Sequence, residues 1–216
     1  MKQSGTPGGA LGTVLRFARI AALGVVCALA ACVTTAENSL SQNDIAGMKL
    51  AGITVSYVPD ARIQWEEGIR AYATARAITD DQIATATDTA EGRAYVQNML
   101  APRIKAGIEK VMAGQLNGSR PVRLEIVVKS FAISSAVQRI LIGGGRGMTA
   151  DANLVDARTG AIIIANPDLR AFLFAGQGIV GTAVQAAVDN ASAQSVVEKV
   201  VIKYGENYRD WLLRQT

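Results

Sequence analysis

The sequence predicts an α+β domain: a mainly antiparallel sheet of about four strands packed against one amphipathic helix and a long C-terminal helix. Three observations carry that expectation. Apolar and polar residues alternate in three stretches, at 53–57, within 122–133 and at 148–155, which is the period of a half-buried strand, and a fourth stretch, 161–175, reads as a returning partner strand broken or bulged at 166–168. Between the first and second stretches, and again after the fourth, apolar residues recur at every third or fourth position, which is the period of a helix with one buried face. The last three stretches are joined by short Gly-rich or turn-rich links, as in a sheet built by hairpins.

The chain divides into residues 1–31, read as an export signal, 32–47, read as a flexible polar tether, and 48–216, read as a single domain. Arg16 and Arg19 precede an apolar run at 20–31. That run is 12 residues long, whereas about 20 are needed to span a bilayer as a helix, so it has the length of a signal and not of a span. It closes on Leu29, Ala30, Ala31 and Cys32, and in that closing tetrad it resembles the lipobox of bacterial lipoproteins. The resemblance implies cleavage between Ala31 and Cys32 and acylation of Cys32, which would hold the protein to a membrane. Val33, where an Asp would retain such a protein at the inner membrane, implies transport to the outer membrane facing the periplasm. The alternative is a plain secretory signal that leaves Cys32 as a loose thiol in an oxidising compartment.

Composition narrows the function. The chain carries 22 Lys and Arg against 18 Asp and Glu, but Lys2, Arg16 and Arg19 lie in the signal, which has no acid. The remainder is close to neutral, and a nucleic-acid partner loses its support. Aromatic residues make up 5%, too few for platforms that stack bases or sugars. There is no His, which removes the commonest general base and the commonest neutral metal ligand. Of the two cysteines, Cys27 lies in the signal, so the rest of the chain can form no internal disulfide. The adjacent acids Glu66 with Glu67 and Asp80 with Asp81 point apart in helix or strand and read as solvated surface, not as a catalytic pair. Neither a GxSxG elbow nor a Ser-x-x-Lys is present. The sequence thus assigns no catalytic residue, no metal ligand and no cofactor.

The elements follow in order. Ile53, Val55 and Tyr57 alternate with Thr54 and Ser56, and Pro59 is expected to end that strand. Residues 60–93 are Ala-rich and poorly patterned; Ile63, Trp65 and Ile69 are candidates for the core, and residues 79–82 for a helix start or loop. From Gly92 a stripe of Val96, Met99, Leu100, Ile104, Ile108, Val111 and Met112 predicts a helix. Pro102 either kinks it or starts a second helix near Ala101. Residues 122–133 then alternate as a strand with one wet face.

Gly143, Gly144, Gly145, Arg146 and Gly147 form a cluster that could cradle a phosphate with Arg146 as counter-charge. The Lys-Ser/Thr ending of a P-loop and its following helix are absent, so a strand-to-strand link is the favoured reading. Residues 156–160 have the composition of a tight turn with Gly160 at positive φ. Asn166, Pro167 and Asp168 are expected to break or bulge the returning strand. Gly176, Gly178 and Gly181 match GxGxxG, with Glu198 further on. A dinucleotide fingerprint needs a parallel βαβ unit, whereas this one follows hairpin strands, so the glycines read as close packing and no nucleotide is expected. Apolar positions from Val180 to Leu212 predict the long C-terminal helix.

In residues 61–65, Arg120 with Pro121, 143–147, 156–160 and 168–181, the chain resembles a group of small alphaproteobacterial lipoproteins known only as a domain of unknown function. That group is often described with a His before the Gly-rich link, and no role for such a residue carries over to a chain without His. The architecture more loosely resembles accessory lipoproteins that assist envelope assembly or activate cell-wall synthases. The resemblance bears on the fold and is nearly silent on activity; without a catalytic constellation, the chain reads as a non-enzymatic, lipid-anchored module that binds an envelope protein through a sheet edge or helix face. The alternative is a small-ligand binder or hydrolase using the Gly-rich links.

Overall fold

The structure, a computed structural model, describes residues 36–133, 145–173 and 195–215. Its elements are α1 (Gln42–Ala46), β1 (Met48–Trp65), α2 (Glu66–Ala75), α3 (Ile83–Thr87), α4 (Ala90–Met112), β2 (Arg120–Ile133), β3 (Arg146–Asp156), β4 (Ile162–Leu173) and α5 (Val196–Leu213). The strands lie side by side in chain order; β1 runs parallel to β2, and the β2–β3 and β3–β4 pairs are antiparallel. The expected α+β class, with a mostly antiparallel four-stranded sheet and a C-terminal helix, is what the chain adopts.

Alternation decides which face is packed. In β2, Val122, Leu124, Ile126 and Val128 are fully buried, while Arg123, Glu125, Val127 and Lys129 between them are half-exposed. The buried face is covered by α4 and α5. Val96, Leu100, Ile104, Ile108 and Met112 fall four apart on α4, and Val197, Val200, Val201, Tyr204, Tyr208 and Leu212 line α5. The two helices approach closely through glycines: a Cβ on Gly107 would lie 2.6 Å from Val201 Cγ1. Trp65 is buried as expected, and Ile63 and Ile69 pack at the edge of the same core.

The structure corrects two expectations and decides between two alternatives at Pro102. Pro59 does not end the first strand, because β1 continues to Trp65 by slipping register there: residues 58–61 stand opposite Lys129 alone. That irregularity runs across the whole sheet. Lys129 has no partner in β3, and Asp151 faces both Pro167 and Asp168. Lys129 Nζ joins the line by bonding Asp151 Oδ1 at 2.7 Å and Asp168 Oδ1 at 2.9 Å, and the Asp168 backbone N–H donates to Asp151 Oδ1 at 2.8 Å. The bulge expected at 166–168 is therefore present, and Asp168 takes φ of 53° in it.

Pro102 starts no second helix. Of the two alternatives the chain adopts a single α4, opened by Thr89, whose Oγ1 accepts from Gly92 N–H at 3.1 Å.

From Ala36 onward, the predicted tether is instead packed on the domain. Ser41 and Asp44 form a capping box on α1, Ile45 is buried, and Leu40 packs on the core. Asn38 Nδ2 donates to the carbonyls of Trp211 and Leu212 at 3.1 and 2.8 Å, and the Arg214 guanidinium donates to the carbonyls of Asn38 and Leu40 at 2.6 Å each. Polar side chains that looked like solvated linker are thus spent on the orphan carbonyls that end α5.

Candidate functional site

The outer edge of β1 borders a concavity built from the described residues. On its inner side β1 pairs with β2, while at 51–65 its other edge has no strand beside it among the described residues. α2 leaves directly from Trp65 and folds back over α4. Three contacts pin the pair: Arg103 reaches Glu67 at 2.8 Å while lying 4.8 Å from the Trp65 ring centroid, Tyr72 and Tyr95 meet at 5.3 Å, and Arg76 bonds Glu91 at 2.7 Å. A cleft of about 890 Å³ opens between the strand edge and these helices.

Its walls are of three kinds. Residues 59–64 supply the strand edge, Glu66, Ile69 and Arg70 come from α2, and Ile83, Ala84, Thr87, Arg93 and Val96 come from α3 and α4. Ala61, Ile63, Ile69, Ile83, Ala84 and Val96 make it apolar along its length. Three guanidiniums, at Arg62, Arg70 and Arg93, and four carboxylates, at Asp60, Glu66, Asp80 and Asp88, make it charged of both signs. Arg70 is taken by Glu66 at 2.8 Å. Arg62, Arg93, Asp60, Asp80 and Asp88 have no ion-pair partner among the described residues, which leaves both signs available to a guest. A smaller recess of about 280 Å³ adjoins the sheet's line of bulges, between Val58, Asp60, Arg62 and Lys129. Hydrogen bonds to Asp151 and Asp168 hold Lys129 protonated above the ordinary lysine range.

This geometry suits recognition of an extended chain. Beyond the slip at 58–61, where Pro59 has no N–H, the unpaired strand edge offers backbone N–H and C=O groups, the apolar lining can take alternate side chains, and charges at the rim can select among guests. Among the described residues no three His, Cys, Asp or Glu side chains gather as for a metal ion.

Of the lipidation and Gly-rich residues singled out from sequence, most lie outside the described residues and none of the described ones lines the cleft. Leu29, Ala30, Ala31 and Cys32 lie outside the described residues, as do Gly143, Gly144, Gly176, Gly178 and Gly181. Gly145 is exposed, Arg146 is buried at 3% exposure, and Gly147 is tucked beneath Phe172, whose Cδ1 would lie 2.6 Å from a Cβ there. None of these three lines the cleft. The segment at 176–181 follows β4, an antiparallel strand at the sheet's edge, and not the parallel strand that a dinucleotide fingerprint requires. Glu198, the acid that would have met a ribose, pairs with Lys110 at 3.1 Å. The adjacent acids also divide: Glu66 goes to Arg70 and Glu67 to Arg103. The cleft residues Arg62, Arg70, Arg93 and Asp88 went unread in the sequence, because an Ala-rich segment with scattered charge has no period that marks a wall.

No family model matches the chain, and no curated protein matches it. Among solved structures, the chain aligns with two of low similarity. One, from Caulobacter crescentus CB15 and described as a candidate lipoprotein, aligns at 17% identity over 52% of this chain and 80% of its own, with a TM-score of 0.31. The other, a DUF330 protein from Xanthomonas campestris, aligns at 12% identity over 83% of this chain and 91% of its own, with a TM-score of 0.40. Among the described residues no helix is long and apolar enough to cross a membrane.

Proposed function

We propose that this chain is a lipid-anchored accessory protein of the bacterial cell envelope that holds a partner protein by laying an extended segment of it along the open edge of β1. The observation that carries the reading is the cleft beside that edge, with its apolar walls and uncommitted charges of both signs. Leu29, Ala30, Ala31 and Cys32 support the anchor, and Val33 supports an outer-membrane location facing the periplasm. Several acyl chains on Cys32 would make the anchor stable, where a single chain holds only marginally.

The mechanism is one of position. Main-chain hydrogen bonds to the 51–65 edge supply affinity, while Arg62, Arg93, Asp60, Asp80 and Asp88 select the guest's charge pattern. The tether confines the complex to the membrane plane, which raises the partner's effective concentration to the millimolar range typical of short linkers. Nothing in this role calls for a nucleophile, and a chain without His fits a binder better than a hydrolase.

A photoreactive amino acid at Gln64, on the exposed strand edge, tests the reading in living cells. Expected is a discrete adduct with one envelope protein, lost when Arg62 and Arg93 are both changed to Glu, with the melting temperature unchanged. Adducts that ignore the charge reversal would sink it. A cleft of about 890 Å³ also lies within the roughly 300–1,000 Å³ range of small-molecule pockets, which favours a second reading as a ligand binder. Native mass spectrometry of the purified protein separates the two, since a ligand would add a small fixed mass that the same charge reversal removes.

A further inference from the structure

We infer that the end of the domain where residues 36–40 meet the close of α5, marked by Trp211 and Arg214, rests against the bilayer that holds the Cys32 lipid; this rests on the lipid-anchor reading above. As a free tether, residues 32–47 would let the domain wander tens of ångströms from the membrane. Docking of the segment from Ala36 on removes twelve of those sixteen residues from the leash. Four peptide links separate Cys32 from Ala36, and at no more than about 3.6 Å per residue they reach about 14 Å by any path.

Ala36 in turn is one hydrogen bond from Trp211, its carbonyl accepting from the indole Nε1–H at 2.6 Å. A headgroup layer is about 5–8 Å deep on each side of the hydrocarbon, so such a leash ends within it or just beyond. The side chains found there suit that place. Trp211 is half-buried and stacks at 5.7 Å on Tyr208, with its N–H already satisfied, and Arg214 is exposed. An indole with an apolar body and a guanidinium on a long stem are the residues that settle at a bilayer interface.

The test uses the full, lipidated chain. Wild type and Trp211→Phe are reconstituted into vesicles of phosphatidylethanolamine and phosphatidylglycerol whose acyl chains are brominated close to the headgroup. Expected is fluorescence quenching in the wild type that is lost in Trp211→Phe, where Trp65 alone emits. A third chain, with twenty Gly and Ser residues inserted between Thr35 and Ala36, adds about 25 Å of coil. It is expected to lose the quenching while keeping its melting temperature. The mass of the N-terminal peptide is read on the same samples. An acylated Cys32 without Trp211-dependent quenching overturns this inference alone, as does quenching that survives the spacer. A Cys32 without lipid overturns the anchor and the inference together.

Discussion

Single residues set the sheet's geometry at two places. Lys129 sits where all four strands slip register, and its two carboxylate partners are drawn from different strands. Its hydrogen bonds to Asp151 and Asp168 raise its pKa above the ordinary value of 10.5, and Lys129 in turn holds Asp168 below the ordinary value of 3.8. A lowered carboxylate contributes stability above its unfolded pKa that is lost as pH falls through the folded value. A raised lysine contributes below its unfolded pKa and loses it as pH rises through the folded one. The triad therefore supports the fold across neutral pH and fails toward either extreme. Lys129→Met, which keeps the stem, is expected to cost about 1 kcal/mol or less at pH 7, since the groups are partly exposed. Thermal melts in steps from pH 7 down to pH 1.5 check this, and a difference from wild type that does not shrink as the carboxylates protonate would deny the ion triad its role. Gly118 is the second place. A Cβ there would lie 2.2 Å from the Gly47 carbonyl carbon, and backbone cannot turn aside as a side chain does. Gly118→Ala is expected to destabilise by about 1–3 kcal/mol or more, measured by urea unfolding.

At the scale of elements, α4 carries an internal contradiction. Pro102 lies inside its 23 residues and removes the donor that the Asn98 carbonyl would otherwise receive. The side chain is exposed, so Pro102→Ala is expected to stabilise by up to about 3 kcal/mol, read as a higher melting temperature. A drop instead would mean that the backbone geometry Pro102 sets is needed to seat Leu100 and Ile104 in the core. α3 lies at the other extreme: five residues with none buried, so its amides should exchange first and those of β2 last. Legibility from sequence follows the same physics. β2 was readable because every second residue from Val122 to Val128 is buried, β3 because the same holds from Met148 to Leu154, and α4 because its buried residues fall four apart. The reach of β1 was not, since Pro59 is a strand breaker unless the register slips around it, and slippage depends on Lys129, 70 residues away. The cleft was illegible for a related reason. Its walls come from β1, α2, α3 and α4, and only their packing brings Arg62 and Arg93 to one rim.

At the scale of the whole molecule, the two ends of the described chain close on each other. Asn38 binds the final carbonyls of α5, Trp211 binds Ala36, and Arg214 binds Asn38 and Leu40, so a segment that reads as linker completes a helix more than 170 residues later. The one local signal was Ser41 followed by Asp44, the capping box that opens α1, placing an ordered turn inside a stretch that otherwise lacks pattern. If the strap belongs to the cooperative unit, its loss must register globally. Burial of Ile45 contributes about 1.5–3 kcal/mol and each hydrogen bond a net 0.5–1.5, so the strap as a whole is expected to contribute about 3–6 kcal/mol once its own ordering entropy is set against it. At about 2–4 °C per kcal/mol for a chain of this size, a protein beginning at Met48 should melt roughly 10–20 °C below one beginning at Ala36. Circular dichroism of the two soluble chains decides it. Equal midpoints would return residues 36–47 to the role of a passive tether; a large gap would make the strap part of the cooperative fold, held to α5 as firmly as the core helices are held to the sheet.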